Sequence, residues 1–226
     1  MGLALGRQLA AAGHDVRIGS RDPERGRERA ASIGAAFGGS HGAAIVDAEV
    51  VILAVPWRAV PDTLEALGTL DGRVLVDVTN PFRAGSSVDL LDYGDTSGAE
   101  LIQSMAPDAR VVKAWNHVYS AMLRHSPDFD GTTASVFVAG DDRDAKETVM
   151  ALVADLGWEP VDAGELSSAR YLEPLAALMT TLDRNSRGTM HALRLLRRER
   201  VGAGGPEADR TPATVPAGPP PGRRPA

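Results

Sequence analysis

The feature that most constrains the fold is an alternation of short apolar runs with segments of helical periodicity. Residues 50–56, VVILAVP, form an uninterrupted apolar run of the kind found in strands buried on both faces of a parallel sheet. Similar runs occupy residues 73–78 and 109–115, and the helix-like segments 57–67 and 99–105 separate the three. Strands separated by helices predict parallel pairing through right-handed crossovers. The sequence therefore predicts an α/β protein with a doubly wound parallel sheet.

The rest of the chain continues this alternation. Pro23 is expected in the first turn of a helix capped by Asp22, and a glycine-rich patch around residues 38–42 leads to a short helix near Asp47. A short helix is also expected around residues 120–123. The other predicted strands are residues 14–19, 134–140 and 158–164, and the other predicted helices are residues 24–33, 141–156 and most of 167–198.

The first residues resemble the end of a phosphate-binding loop. Gly2 followed by LALGRQLAAAGHDV is similar to the last glycine of a Gly-x-Gly-x-x-Gly loop and the helix after it, as in a Rossmann-type dinucleotide-binding unit. The first strand and two glycines would then precede Met1, and two flanking strands would lack a partner. A fragment and a genuinely shortened protein are alternatives, but we expect a start codon assigned too late.

Three regions are predicted. Residues 1–165 form a dinucleotide-binding Rossmann-type domain that lacks its first strand, and residues 166–200 form a C-terminal helical part. Residues 201–226 are dominated by proline and glycine, so this tail cannot bury enough apolar surface to offset its ordering entropy and is expected to be disordered.

Composition excludes several classes of function. The net charge of -6 argues against binding to nucleic acid or to an anionic membrane surface. The absence of cysteine excludes disulfides and thiolate chemistry. No metal-ligand spacing, Ser/His/Asp set, signal segment or membrane-length apolar run is found. We therefore expect a cytoplasmic protein without a metal that acts on small molecules.

The stretch RIGSRDPERG, residues 17–26, carries the clearest cofactor signal. Ser20 and Arg21 end a predicted strand about where the acidic residue of an NAD site would lie. A hydroxyl and a guanidinium bind the adenosine 2′-phosphate of NADP, whereas an aspartate would repel it. Arg25 lies one helical turn further on and adds a second cation. The alternative is an ordinary polar turn, but Gly2 and its helix favour NADP.

Two further strand ends are candidates for lining the dinucleotide cleft. Ala54, Val55, Pro56 and Trp57 end the most apolar strand, where backbone groups commonly border the ribose and the nicotinamide. Asn80 ends the next strand and either offers its amide to the nicotinamide region or satisfies the turn before a proline.

A third strand end, VVKAWNHV, carries the polar residues Lys113, Asn116 and His117. His117 is a weak candidate for a proton donor, with a substrate hydrogen bond and an ordinary loop residue as alternatives. The polar residues at positions 162–173 are read mainly as a cap on the last long helix. The apolar spacing of that helix indicates burial, against the sheet or across a dimer.

Taken together, these motifs resemble the NADPH-dependent coenzyme F420 reductase family, in its bacterial dinucleotide-binding branch. The resemblance covers residues 1 to about 196. It rests on GHDVRIGSRDPERG, VVILAVPW, VVKAWNHV and the long stretch from VFVAGDD to YLEPLA.

The resemblance implies a homodimer that binds NADP(H) and uses coenzyme F420 as co-substrate. It implies that Ser20, Arg21 and Arg25 bind the 2′-phosphate and that residues 56–57 and 116–118, including Asn116 and Val118, border the site of hydride transfer. The implied mechanism is direct hydride transfer between stacked rings without a dedicated acid or base. The segments TNPF, residues 79–82, and NHV, residues 116–118, depart from the pattern expected of archaeal members. An acceptor pocket that takes other flavins is therefore an alternative.

Two other functions remain alternatives at this stage. The first is an NADPH-dependent reductase of a small imine, a carbonyl compound or a ferric chelate, of which the imine and carbonyl reactions would need a proton donor such as His117. The second is a non-catalytic NADP-binding protein, suggested by the incomplete glycine loop.

Overall fold

The computed structural model describes residues 1–186 and 189–198 and confirms the α/β class with a mostly parallel sheet. Residues 1–195 form one compact unit. The predicted tail, residues 201–226, lies outside the described residues. The domain boundary expected at residue 165 stays a prediction.

The helices are α1 (Gly2–Ala11), α2 (Pro23–Ile33), α3 (His41–Ala44), α4 (Val60–Leu67), α5 (Gly98–Met105), α6 (Arg143–Asp155) and α7 (Ala169–Asn185). The strands are β1 (Arg17–Ser20), β2 (Phe37–Ser40), β3 (Val50–Leu53), β4 (Val74–Asp77), β5 (Arg110–Lys113), β6 (Asp128–Phe129), β7 (Thr132–Thr133), β8 (Ser135–Gly140) and β9 (Glu159–Asp162).

The strands form one mostly parallel sheet, one separate parallel pair and one small hairpin. A five-stranded sheet has the order β3-β4-β5-β8-β9, β1 pairs only with β2, and β6 pairs with β7. In the described residues β1 and β3 are not bonded to each other, and each has one unpaired edge. This arrangement agrees with the expectation that two flanking strands lack a partner.

The core lies on both faces of the five-stranded sheet because the central residues of its strands are apolar. On one face Val76 and Val112 pack with α1 and α6 through residues such as Leu5 and Val149. On the other face Leu75 packs with α4 and α5. All four residues of β4 are buried, as expected for a strand covered by helices on both sides.

Three expectations about local structure are corrected. The glycine-rich patch contains a strand, β2, which pairs with β1 in parallel from Arg17↔Phe37 to Ser20↔Ser40. The strand β8 runs antiparallel to β5, because the link between them holds a 3₁₀ turn and a hairpin but no crossover helix. The helix α7 ends at Asn185, and residues 189–198 contain no helix.

The helix α2 approaches β2 through main-chain atoms. A Cβ atom at Gly26 would collide with the backbone of Gly39, and a Cβ atom at Gly38 would collide with the backbone of Gly26. The glycines therefore permit a helix-to-strand distance that no side chain would allow. This is why a strand forms in a segment with low β-propensity.

A buried ion triad joins the carboxyl ends of β4 and β5 to two helices. The Nζ atom of Lys113 lies 2.7 Å from Oδ2 of Asp77 and 2.9 Å from Oε1 of Glu173. It also donates to the carbonyl oxygen of Thr79 at 2.8 Å. The two strand residues are register partners, and all three charged side chains are buried.

The triad is stabilised by backbone donors. Glu173, from α7, accepts hydrogen bonds from the N–H groups of Gly98 and Ala99 at the start of α5, at 3.0 and 3.2 Å. Burial alone would lower the pKa of Lys113, but the charges of Asp77 and Glu173 outweigh it, and the pKa is raised. The ammonium therefore stays charged and holds both strands and both helices together.

We expect the Lys113→Met substitution to destabilise the fold by about 3–5 kcal/mol, because it leaves two buried carboxylates without a cation. The free energy of unfolding in urea measures the effect. Lys146→Met is the matched control, since Lys146 pairs with the half-exposed Asp162 at 2.9 Å, and its loss should be below about 1 kcal/mol. Equal losses in the two variants would contradict a structural role for the triad.

Candidate cofactor and active site

A cavity of about 1400 Å³ lies between β1 and β3 and extends along both strands to their carboxyl ends. Its walls include the start of α1, the turn between β1 and α2, and the end of β3. Seven of the eleven predicted cofactor-binding residues line it: Gly2, Ser20, Arg21, Arg25, Ala54, Val55 and Pro56. These seven residues, which were expected from the sequence to bind the cofactor, thus lie together in the wall of one cavity.

The turn after β1 presents cations that no protein carboxylate neutralises. Within the described residues, neither Arg21 nor Arg25 forms an ion pair. By contrast, Arg27, on the same helix, pairs with Glu24. The carboxylate of Asp22 accepts the backbone N–H of Glu24 at 3.0 Å and caps α2.

The two free guanidinium groups and the hydroxyl of Ser20 fit a phosphate dianion. Their donors line one cavity, so the residues present suit the adenosine 2′-phosphate of NADP(H).

The start of α1 approaches the end of β3 closely. A Cβ atom at Gly2 would lie 3.2 Å from the Cβ atom of Ala54. The first backbone N–H groups of a helix have no partner within the helix, and the helix dipole favours an anion there. Gly2 therefore leaves room at a helix end that suits a pyrophosphate.

The predicted residues Asn80 and Asn116 bind each other and do not line the cavity. Nδ2 of Asn80 donates to the carbonyl oxygen of Asn116 at 2.8 Å. Nδ2 of Asn116 donates to Oδ1 of Asn80 at 3.0 Å and to the carbonyl oxygen of Leu172 at 2.7 Å. These bonds join the loops after β4 and β5 to α7. Neither use expected for Asn80 is seen, because its side chain bonds to Asn116 and not to the turn before the proline; a role for Asn80 or Asn116 at the nicotinamide stays a prediction.

Trp57 and Val118 also lie outside the cavity lining. Nε1 of Trp57 donates to the hydroxyl of Tyr93 at 2.9 Å, and the two rings are 6.1 Å apart. The indole ring lies against Gly98 at the start of α5, where a Cβ atom would be 3.1 Å from it. Val118 packs in the core beside Met122. A role for either residue at the hydride site stays a prediction.

The structure places His117 in the core. Its side chain packs against Phe137 at 5.3 Å between ring centroids, and Nε2 lies 3.4 Å from the carbonyl oxygen of Ser135. Burial lowers the pKa of His117 to about 4. A neutral, enclosed imidazole does not supply a proton near neutral pH, so these surroundings do not support the weak proton-donor candidate.

Sequence reasoning found no role for His41, but the structure brings it to the cavity wall beside Ser20 and Arg21. This position of His41 was not predicted because the strand β2 was not predicted. Since β2 pairs with β1, the residues that follow the two strands are neighbours. Lys113 was predicted as a polar residue at a strand end, but its pairing with Asp77 was not predicted. The two residues are register partners at the ends of adjacent strands.

Among the described residues, no helix is both long and apolar enough to cross a membrane. In the same part of the chain, no group of three His, Asp or Glu side chains is close enough to hold a metal ion.

Comparisons with known proteins identify the family to which the chain is similar. A family described as NADP oxidoreductase, coenzyme F420-dependent, matches residues 1–81. The F420-dependent NADP reductase of Methanothermobacter marburgensis is 32% identical over 202 residues, which cover 82% of this chain and 89% of that protein.

Two further proteins are similar. A candidate F420-dependent NADP reductase from Arthrobacter, with a solved structure, gives a TM-score of 0.74 at 28% identity and covers 81% of this chain and 89% of that one. Metalloreductase STEAP3 of Rattus norvegicus is 31% identical over 76% of this chain, which spans 33% of that protein. The chain belongs to the family of NADP oxidoreductases that includes the F420-dependent NADP reductases.

Proposed function

We propose that this protein catalyses hydride transfer between NADPH and a deazaflavin of the coenzyme F420 type. The observation that carries the proposal is the set of Ser20, Arg21 and Arg25 on the wall of the cavity that also receives the start of α1. The 32% identity with an F420-dependent NADP reductase supports the choice of acceptor.

The residues of the chain would bind and orient the cofactor. Ser20, Arg21 and Arg25 would hold the 2′-phosphate, and the N–H groups at Gly2 would face the pyrophosphate. The end of β3, from Ala54 to Pro56, would border the nicotinamide end of the cavity. The bound dinucleotide supplies a hydride, and the protein's contribution is the alignment of the two reacting rings.

The alternatives differ in what they require. Reduction of an imine or a carbonyl compound needs a proton donor, and His117, the candidate for that role, is buried. Reduction of a ferric chelate is favoured by the similarity to a metalloreductase. Because NADPH delivers two electrons as hydride and each ferric ion accepts one, that reaction would need a flavin as intermediate carrier. A non-catalytic NADP-binding protein would bind NADPH but transfer hydride to no acceptor.

The helix α7 supports the proposal of a homodimer. Tyr171, Leu178 and Leu182 recur at helical spacing along one face of α7, and their side chains are exposed. Leu172 and Met179, about 100° round the helix from this stripe, are buried. An exposed apolar stripe of this kind favours contact with another protein surface, here a second copy of the chain. A cytoplasmic location stays a prediction from the sequence.

We expect Arg21→Ala and Arg25→Ala to weaken NADPH binding about 10- to 100-fold each, because each removes charge-assisted hydrogen bonds worth about 1.5–3 kcal/mol. NADH binding should change little. Isothermal titration of both dinucleotides measures the ratio of the two Kd values. Arg27→Ala, which removes a cation already paired with Glu24, should leave the ratio unchanged. Equal losses for NADPH and NADH would mean that the turn does not recognise the 2′-phosphate.

The acceptor is tested by following NADPH oxidation at 340 nm with F420, FMN, FAD and ferric citrate in parallel. We expect saturable oxidation with F420, because the proposed reaction needs only a ring that accepts hydride. Ferric citrate should react only when FMN or FAD is also present. Turnover of ferric citrate with a flavin and none with F420 would support the metalloreductase alternative. NADPH binding without turnover of any acceptor would refute an oxidoreductase.

For the homodimer, we expect light scattering coupled to size-exclusion chromatography to give twice the monomer mass. Leu178→Glu should yield the monomer, since it places a charge in the middle of the apolar stripe. Thr181→Glu, at an exposed position of α7 outside the stripe, is the control and should stay dimeric. A dimer that survives Leu178→Glu would place the interface elsewhere.

A further inference from the structure

His41 lies beside the predicted binding site for the 2′-phosphate. It is the first residue of α3 and follows β2 directly. Its ring packs over β1: a Cβ atom at Gly19 would lie 3.1 Å from both Nδ1 and Cα of His41. Because Ser20 and Ser40 are register partners at the ends of β1 and β2, the residue after each strand faces the same end of the cavity.

The imidazole is available to a ligand. His41 lines the same cavity as Ser20, Arg21 and Arg25, and its side chain is half-buried. Within the described residues its ring nitrogens form no hydrogen bond and no ion pair. Burial, and secondly the charge of Arg21, lower the pKa of His41. The ring is therefore neutral at pH 7 when the cavity holds no anion.

The charged groups around His41 come from each element packed on α3. On the side of β1 these are Arg21 and Arg17, and Arg17 donates to the carbonyl oxygens of Ala43 and Ala44. The strand β2 carries no titratable side chain. The helix α4 carries Asp62 and Glu65, whose side chains are exposed.

The opposite parts of the cavity wall add Arg25, Arg29, Arg58, Asp22, Asp47 and Glu49. Of all these groups, only Arg21 has a resolved influence on the pKa of His41.

We propose that His41 is a further binding residue for the 2′-phosphate and that it links NADPH binding to the uptake of a proton. The proposal rests on the function proposed above, because it assumes that Ser20 and Arg21 hold that phosphate. A neutral histidine among cations gains a proton when a dianion arrives, since the imidazolium is stabilised by the new opposite charge.

The direction of the pH effect follows from this linkage. Binding raises the pKa of His41 from its lowered value, so the complex holds more protons than the free protein. Affinity for NADPH therefore rises as the pH falls toward the raised pKa, and NADH, which lacks the phosphate, is unaffected. The phosphate itself takes up a proton near pH 6, which opposes the effect at lower pH. The informative window is thus about pH 6.5 to 8.5.

The test is calorimetric binding of adenosine 2′,5′-bisphosphate to the full chain, with 5′-AMP as the ligand that lacks the 2′-phosphate. Titrations in two buffers with different ionisation enthalpies count the protons taken up. For the native chain we expect the bisphosphate to bind about two- to fivefold more tightly at pH 6.5 than at pH 8.5, as a pKa shift of up to about one unit produces in this window. Net proton uptake should accompany it.

His41→Asn keeps a hydrogen-bonding side chain that does not titrate, so we expect the pH dependence and the proton uptake to be reduced to the contribution of the phosphate alone. His125→Asn, at an exposed histidine outside the cavity lining, is the matched control and should behave as the native chain. The circular dichroism spectrum of each variant verifies the fold independently of binding.

Two outcomes separate the proposals. If the native chain prefers the bisphosphate to 5′-AMP but His41→Asn keeps the full pH dependence, the inference about His41 is wrong and the phosphate site stands. If neither protein prefers the bisphosphate, the proposed NADP site is itself wrong.

Discussion

The buried triad of Lys113, Asp77 and Glu173 is the interaction that holds the ends of the central strands to two helices. One ammonium donates to two carboxylates and to the carbonyl oxygen of Thr79. Replacing such a cluster by apolar residues often stabilises a protein, whereas breaking it destabilises strongly. Its role is therefore geometric. It fixes the ends of β4 and β5 and the start of α5, and Asn80 lies three residues after Asp77 in the loop that follows β4.

Much of the fold could be predicted because a strand that is buried on both faces appears in the sequence as a run of apolar residues. β3 and β4 appear as apolar runs, and Pro23 and Asp22 mark the start of α2. By contrast, β2 carries no such trace, since its glycines serve a neighbouring helix rather than the core. The direction of β8 also escaped prediction, because a local pattern identifies a strand but not the sense in which it joins a sheet.

The residues of the candidate site also differ in whether their positions could be predicted from the sequence. Ser20 and Arg21 follow a strand directly, so their place at its carboxyl end could be inferred from sequence. For Trp57 and Asn116 the sequence gives the backbone position, but the direction of each side chain is decided by contacts with Tyr93 and α7. The position of His41 at the cavity depends on the pairing of β1 with β2, and no single motif in the sequence includes both strands. Proximity of that kind exists only once the sheet is formed.

The main-chain contact between α2 and β2 has a consequence for how this protein could change its cofactor. Gly26 meets the backbone of Gly39 directly, and the side chain that α2 buries is that of Ala30, so the axis of α2 does not depend on the residues along its solvent face. Arg25 projects from that independently anchored axis. Evolution, or a designer, could therefore exchange the polar residues that choose between two dinucleotides while leaving the architecture that presents them untouched.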